Sequence, residues 1–314
     1  MNDDNRPTNI FQPSVRRQKV AVIGAGALGT IISWAAHVAG NDVTLCARTP
    51  MQTPRVDTKE GSHEVPVHVA TVPERQGAVD WILIATKAQD TASTRAWISA
   101  MTGPDTVVVV VQNGIAHRRR VEPYLPAGVE VIPAVPFRIA AERLTPGRVL
   151  YFKDDQDTFL IPEGPAASRL VGVFAGSFLR FKEDGDFKTS TWHKLLINSA
   201  WNPITALTMR RGDVFRDRGI ADFARGILLE TAQVARAEGA NICNDQVEKI
   251  IGALLHQSGD IGSSMLYDRL AGHSTEYDYI SGAVVRTASM HGIHVPLNKL
   301  LLSLTRAADP HRAD

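Results

Sequence analysis

Between Trp192 and Pro203 the chain reads Trp-His-Lys-Leu-Leu-Ile-Asn-Ser-Ala-Trp-Asn-Pro. Lys194, Asn198 and Asn202 recur at i, i+4 and i+8, the spacing that lines side chains up along one stripe of a helix. Their neighbours are mostly apolar, so this helix is expected to be buried. An ammonium and two amides on a buried stripe are costly unless they meet partners or a ligand. Such a stripe is either the polar wall of a pocket or a hydrogen-bond network between packed domains. Pro203 removes an interior N–H, which predicts a kink beside the stripe. His193 lies about 100° round the helix from Lys194 and reads as structural.

A second set of residues points to phosphate binding. The apolar run Val20–Ile23 leads into Gly24-Ala25-Gly26-Ala27-Leu28-Gly29, and a helix-like run from Thr30 to Ala39 follows. Strand, G-x-G-x-x-G turn and helix in that order are the context of a dinucleotide-binding fingerprint. Gly24 serves the tight turn, Gly26 lets the backbone approach a pyrophosphate, and Gly29 lets helix and strand pack closely. The helix N-terminus then turns N–H groups and a positive dipole end toward the phosphates. Gly40 reads as the helix stop, and a strand follows from Asp42 to Ala47. An NAD site usually carries an Asp or Glu at the end of this strand; here Arg48 stands there. A guanidinium suits a ribose 2′-phosphate, so NADP is favoured over NAD, the plainer alternative being a solvated surface arginine.

Ligands of open parallel sheets bind at the carboxyl ends of strands. Lys87 follows the strand Trp81–Ala85, and Asn113 follows Val107–Val111. Lys87 offers a point charge, and Asn113 a donor and an acceptor; either residue also suits an ordinary turn. Ser263-Ser264-Met265-Leu266-Tyr267-Asp268 and Ser274-Thr275-Glu276-Tyr277-Asp278 form a third polar cluster. Glu276 is expected in the first turn of a helix capped by Thr275 with Asp278, where an acid is ordinary.

The elements that must carry these groups follow from apolar periodicity. Apolar runs at 20–24, 43–47, 79–85, 106–111 and 129–135 predict parallel strands, two of them unbroken as in strands buried on both faces. Residues 148–161 and 171–182 read as further edge strands, or as a strand and a helix. From about 189 helical periodicity takes over, at 189–209, 219–238, 245–257, 262–271 and 276–291, with Gly239, Gly272 and Gly292 at stops. The predicted architecture is α/β: a Rossmann doubly wound parallel sheet over 19–188, then an all-helical domain over 189–309. With 314 residues the chain is too long for one ordinary core. Its net charge of +1 gives no reason to expect nucleic acid or an anionic membrane as partner. His117-Arg118-Arg119-Arg120, the densest basic run, reads as a solvated face. No apolar stretch reaches membrane length. Residues 1–18 lack the apolar core of a signal peptide and read as a loose tail. Cys46 and Cys243 are far apart and have no metal-ligand spacing, so no metal site or disulfide is expected, and a reducing cytoplasm is the expected compartment.

Taken together, the chain resembles the ketopantoate reductase (2-dehydropantoate 2-reductase) family from about residue 19 to 305. The resemblance rests on GAGALG at 24–29, ATKAQD at 85–90, QNGI at 112–115, HKLLINSAWNPITAL at 193–207 and SSMLYDRLAGHSTEYDYISG at 263–282. It implies a Rossmann domain, a helical domain and an active site in the cleft between them, with NADPH as cofactor and a small 2-oxo acid as substrate; a homodimer is compatible with it. It also implies Lys194 as proton donor, Asn198, Asn202 and Ser264 as substrate contacts, and Asn113 as a residue touching both ligands. Arg48, Lys87 and Glu276 take cofactor-side or cleft-closing roles. The implied chemistry is coherent: hydride delivered to a ketone carbon leaves charge on oxygen, and a protonated lysine stabilises that oxygen and supplies its proton. Departures from the family pattern lie at Arg210-Arg211-Gly212, Tyr267, Trp201 and 133–141. They leave the reaction type in place and widen the choice of 2-oxo acid. Two other readings stay open: a related two-domain dehydrogenase acting on a different 2-oxo acid, a 3-hydroxyacid or an opine-type substrate, and a non-catalytic NADPH sensor.

Overall fold

The apolar runs of the first half form a six-stranded parallel sheet. A computed structural model describes residues 17–137, 139–155, 158–256 and 259–310. Most of the expected tail, residues 1–16, therefore lies outside the described residues. In chain order the first elements are β1 (Lys19–Ile23), α1 (Ala27–Val38), β2 (Asp42–Cys46), β3 (Arg55–Thr58), β4 (Gly61–Glu64), β5 (His68–Ala70), β6 (Val79–Ile84), α2 (Arg95–Met101), β7 (Thr102–Val110), α3 (His117–Val121) and β8 (Glu130–Pro133). The main sheet has the order β5-β2-β1-β6-β7-β8, and each neighbouring pair is parallel. Alternating side chains feed two cores. Val20, Val22, Leu45, Leu83 and Val109 pack with Ile32, Ala35 and Ala36 of α1 on one face. Ala21, Ile23, Ile82, Ile84, Val108 and Val110 pack with Trp97 and Ile98 of α2 on the other. Burial on both faces is why these strands read as unbroken apolar runs.

The following segment departs from expectation. It contains β9 (Val135–Phe137), β10 (Ala141–Thr145), β11 (Arg148–Tyr151), β12 (Thr158–Pro162), α4 (Pro165–Val173) and β13 (Arg180–Asp184). Residues 148–161 and 171–182 do not extend the main sheet. They contribute to two smaller sheets, β10-β11-β3-β4 and β13-β12-β9. The β3–β4 hairpin had no counterpart in the sequence reading, because Val56 is its one buried apolar residue.

The helical half contains α5 (Phe187–Thr208), α6 (Arg218–Ala237), α7 (Asn244–Leu255), α8 (Ser264–Leu270), α9 (Ser281–Met290) and α10 (Pro296–Ala307). Its core joins Leu195, Leu196, Ala200 and Ile204 of α5 to Ile227 and Leu228 of α6 and to Val247 and Ile251 of α7. Side chains fix the helix starts: Asp186 accepts from Thr189 N at 3.3 Å, Asp217 from Ile220 N at 3.0 Å and Ser263 from Leu266 N at 3.0 Å. Two expectations are corrected. α9 starts at Ser281 rather than 276, so Glu276 precedes the helix instead of lying in its first turn. The Thr275 hydroxyl is taken by Asp309 at 3.1 Å, and Asp278 pairs with Arg286 at 2.8 Å, so the anticipated capping box does not form. α10 was not foreseen at all; its N-terminus is capped by the Glu230 carboxylate, which accepts from Leu297 N and Asn298 N at 2.9 Å each.

Candidate active site

The turn between β1 and α1 carries the glycine pattern for reasons visible in its contacts. Gly24 has φ of +115°, and a Cβ there would stand 2.8 Å from Thr86 N. A Cβ on Gly29 would come within 1.8 Å of the Gly24 carbonyl oxygen, so helix and turn close on a bare backbone. At Gly26 no described atom beyond its own chain neighbours lies within 4 Å of the same position. The turn Gly24–Gly29, including Ala25, Ala27 and Leu28, thus has one packed side and one open side. Gly26 caps α1 without a side chain, and no acid occupies the first turn. The helix N-terminus therefore keeps its affinity for an anion. Arg48 follows the end of β2, with a side chain 79% exposed and 4.0 Å from Asp90 Oδ2.

Next to this turn, the ends of β6 and β7 meet the helical half. Glu276 is buried, 2% exposed, and its carboxylate accepts from Ala88 N at 2.9 Å and from Asn113 Nδ2 at 2.8 Å. Lys87 Nζ donates to Asp268 Oδ2 at 2.5 Å and lies 3.9 Å from Glu276 Oε2. Burial works against the Lys87 charge, but the Glu276 and Asp268 carboxylates outweigh it and hold the pKa above the ordinary lysine value. Lys87 and Asn113 are therefore more than turn residues: each reaches the second half of the chain.

The stripe on α5 closes the arrangement. Asn198 is buried, and its Nδ2 donates to Asn113 Oδ1 at 3.5 Å. Asn202, also buried, donates to Ser264 Oγ at 3.4 Å. Lys194, one turn before Asn198, has no hydrogen bond or ion pair among the described residues, and burial pushes its pKa below the ordinary value. The structure thus brings Lys87, Asn113, Glu276 and Asn198 into one chain of contacts and pairs Asn202 with Ser264. Arg48 stands apart from both, after β2, with Asp90 as its ion-pair partner. α5 runs from Phe187 to Thr208 through Pro203 as one helix; near the proline, Thr205 Oγ1 donates to the carbonyls of Trp201 at 2.8 Å and Asn202 at 3.2 Å. Trp201 stacks on Phe215 with centroids 5.3 Å apart.

Two residues of the site escaped the sequence reading. Asp268 gave no signal beyond its place in a polar cluster. Arg120 was assigned to a solvated face, and that is corrected: it is half-buried and donates to Gln112 Oε1 at 3.0 Å, Asn113 O at 3.2 Å and Ile115 O at 2.9 Å.

Known proteins share this framework. A relative from Caulobacter vibrioides named 2-dehydropantoate 2-reductase is 36% identical, covering 92% of this chain and 98% of its own. A dimeric ketopantoate reductase from Staphylococcus aureus has the same fold, with a TM-score of 0.84 at 24% identity over 94% of this chain and 100% of its own. So does a D-mandelate dehydrogenase in a ternary complex with NADH and anilino(oxo)acetate, with a TM-score of 0.83 at 22% identity over 93% and 98%. Residues 20–164 match the model of ketopantoate reductase PanE/ApbA, and residues 186–309 match its C-terminal counterpart. The glycine turn and the polar stripe are therefore held by a chain that belongs to the ketopantoate reductase family.

Proposed function

We propose that this protein reduces ketopantoate to pantoate with NADPH, using Lys194 as proton donor. The observation that carries the proposal is the partly buried Lys194 ammonium, which has no hydrogen bond or ion pair among the described residues and lies one helical turn from an amide that reaches the strand ends of the other half. A lysine kept for structure would be expected to hold a carboxylate; this one is left for a ligand.

The residues at hand fit the cofactor. The open side of Gly26 and the uncapped start of α1 suit a pyrophosphate, and Arg48 suits a 2′-phosphate. When bound, the reduced nicotinamide supplies the hydride. Lys194 gives its proton to the carbonyl oxygen of the substrate as that oxygen gains charge, and its lowered pKa brings it nearer the working pH of a general acid. Asn198, Asn202 and Ser264 bind the carboxylate and hydroxyl of the 2-oxo acid. Asn113, tied to Glu276, orients the cofactor side of the cleft, and Glu276 and Lys87 hold it closed. The working units are then the Rossmann part, 19–188, and the helical part, 189–309. A homodimer is the assembly proposed, by analogy with the S. aureus protein, and sedimentation checks it. Cytoplasmic residence is proposed from the free thiols of Cys46 and Cys243. No helix among the described residues is long and apolar enough to cross a membrane.

Steady-state assay of Lys194→Ala tests the proposal. Turnover is expected to fall by roughly 10² to 10⁴, the range for a positioned general acid, while NADPH affinity stays unchanged. Unchanged turnover refutes the proton-donor role. A panel of 2-oxo acids assayed alongside decides the substrate, and a clear preference for another acid moves the protein to a different member of the same reaction class.

A further inference from the structure

Arg118, Arg119 and Arg120 are adjacent in sequence, but their surroundings differ. Arg118 and Arg119 are exposed, whereas Arg120 turns inward. Its Nη1 donates to Gln112 Oε1 and to Asn113 O, and its Nη2 donates to Ile115 O at 2.9 Å. The guanidinium also lies 4.8 Å from the ring centroid of Tyr279, which belongs to the helical half. One planar fork therefore reads three oxygens of a single loop and one aromatic face across the seam, a pattern a lysine cannot reproduce.

The loop so gripped is tightly built. Gly114 has φ of +88°, and a Cβ there would meet Tyr279 O at 2.4 Å and Arg120 Nη2 at 3.2 Å. Ala116 adopts φ of +58°, a left-handed conformation that a non-glycine residue takes at a cost. Gln112 is anchored separately, donating to Thr86 Oγ1 at 3.0 Å, and its carbonyl accepts from His117 Nε2 at 2.8 Å. With the backbone oxygens of Asn113 and Ile115 turned toward Arg120, the Asn113 amide is left to reach Glu276 at 2.8 Å and Asn198 at 3.5 Å. Tyr279, under the guanidinium, sits three residues beyond Glu276 in the same turn, whose backbone bond from Tyr279 N to Glu276 O measures 3.0 Å.

We propose that Arg120 is a positioning residue. Its guanidinium clamps the Gln112–Ile115 loop to Tyr279 and so sets the Asn113 amide between Glu276 and Asn198. The proposal rests on the role given to Asn113 above.

The test compares Arg120→Ala, Arg120→Lys, Asn113→Ala and, as control, Arg119→Ala. It reads kcat and KM for ketopantoate, NADPH Kd by nicotinamide fluorescence, and recovery on adding millimolar guanidinium or methylammonium. Both Arg120 variants are expected to lose about 10- to 100-fold in kcat/KM and to bind NADPH about tenfold more weakly, the scale of effect of a catalytic group displaced by about 1 Å. Guanidinium should restore much of both losses in Arg120→Ala, methylammonium should not, and neither should help Asn113→Ala. Arg119→Ala should match the parent. Unaltered kinetics in the Arg120 variants overturns the proposal. So does a loss that guanidinium cannot restore, or that methylammonium restores equally, since that marks general stability or charge. Arg120→Lys keeps charge and stem, so it serves if the alanine variant does not fold. If the parent protein reduces no 2-oxo acid, the proposed reaction falls, and the guanidinium-dependent recovery of NADPH affinity still decides the clamp.

Discussion

Among the described residues, Lys194 has no ion pair and Arg48 only a long one, for opposite physical reasons. Lys194 is partly withdrawn from water with no counter-charge among the described residues, so the fold disfavours its protonated form. Activity and stability then respond to pH with opposite signs. As pH rises through the lowered folded pKa, Lys194 loses its proton; with the proposed donor role, kcat/KM is then expected to fall before an ordinary lysine would titrate, and a pH–rate profile checks this. Stability moves the other way. Between the folded pKa and the unfolded value of 10.5 the unfolded chain binds more protons, so unfolding free energy rises with pH. Lys194→Met removes that dependence and is expected to raise stability at neutral pH by about 1 kcal/mol while lowering turnover as far as Lys194→Ala does, as is common where a site carries unfavourable charge. A Met variant less stable than the parent would argue that the ammonium is structural. Arg48 is solvated, 79% exposed, and its pairing with Asp90 at 4.0 Å contributes little. A charge-assisted bond to a 2′-phosphate is worth about 1.5–3 kcal/mol, so Arg48→Ala should erode the NADPH-over-NADH preference by roughly one to two powers of ten, read from cofactor Kd values. An unchanged ratio removes Arg48 from cofactor choice.

Among the elements, α3 and the loop before it show how a site is set by groups that do no chemistry. His117 opens α3, is 3% exposed, and donates through Nε2 to the Gln112 carbonyl. Burial, helped by the nearby Arg120 charge, pushes its pKa down from 6.5 to about 4. The folded pKa lies below the unfolded one, so stability is intact above pH 6.5 and is lost as pH falls from 6.5 toward 4. The full loss is about 3 kcal/mol. Chemical denaturation at several pH values checks this, and His117→Gln should flatten that part of the profile; an equal slope in the variant would place the effect elsewhere. How legible these elements were depended on where their burial comes from. β1, β6 and β7 are buried on both faces and read as apolar runs. β3 and β4 are polar apart from Val56, so nothing marked them. α10 hides its period because buried Asn298 and Thr305 alternate with exposed Leu300 and Leu304. α9 starts five residues later than its capping signal suggests because Thr275 and Asp278 have the types of a capping pair while their actual partners are Asp309 and Arg286. The Lys194–Asn198–Asn202 stripe was legible because helical spacing alone aligns it. The role of Arg120 was not, since a guanidinium in a basic run looks solvated until Tyr279, remote in sequence, is brought beneath it.

At the scale of the whole molecule, Ile115 of the sheet half packs against the helical core, and a line of polar contacts joins the two halves beside it. From the sheet side come Lys87, Ala88, Gln89, Asn113 and Arg120; from the helical side come Asp268, Ser274, Glu276 and Tyr279. The end of the chain returns to this seam. Asp309, 7% exposed, accepts from Thr275 N at 2.8 Å, Thr275 Oγ1 at 3.1 Å and Ser274 Oγ at 3.0 Å. The segment it holds leads directly into Glu276, and Gln89 Nε2 donates to the Ser274 carbonyl at 3.3 Å from the other side. Asp309→Ala leaves a buried N–H and two hydroxyls without this acceptor, at a cost of about 2 kcal/mol. Because the freed segment carries the carboxylate that anchors Ala88 and Asn113, the penalty should surface in cofactor binding as well as in folding. Thermal unfolding of Asp309→Ala is expected to drop by several degrees. NADPH should bind several-fold more weakly, and kcat at saturating cofactor should stay close to that of the parent, because Lys194 and its stripe lie on α5 and do not touch Asp309. An Asp309→Asn variant keeps one acceptor oxygen and should fall between the two. A lowered melting temperature with untouched NADPH affinity would show instead that the chain end stabilises the helical half without reaching the seam.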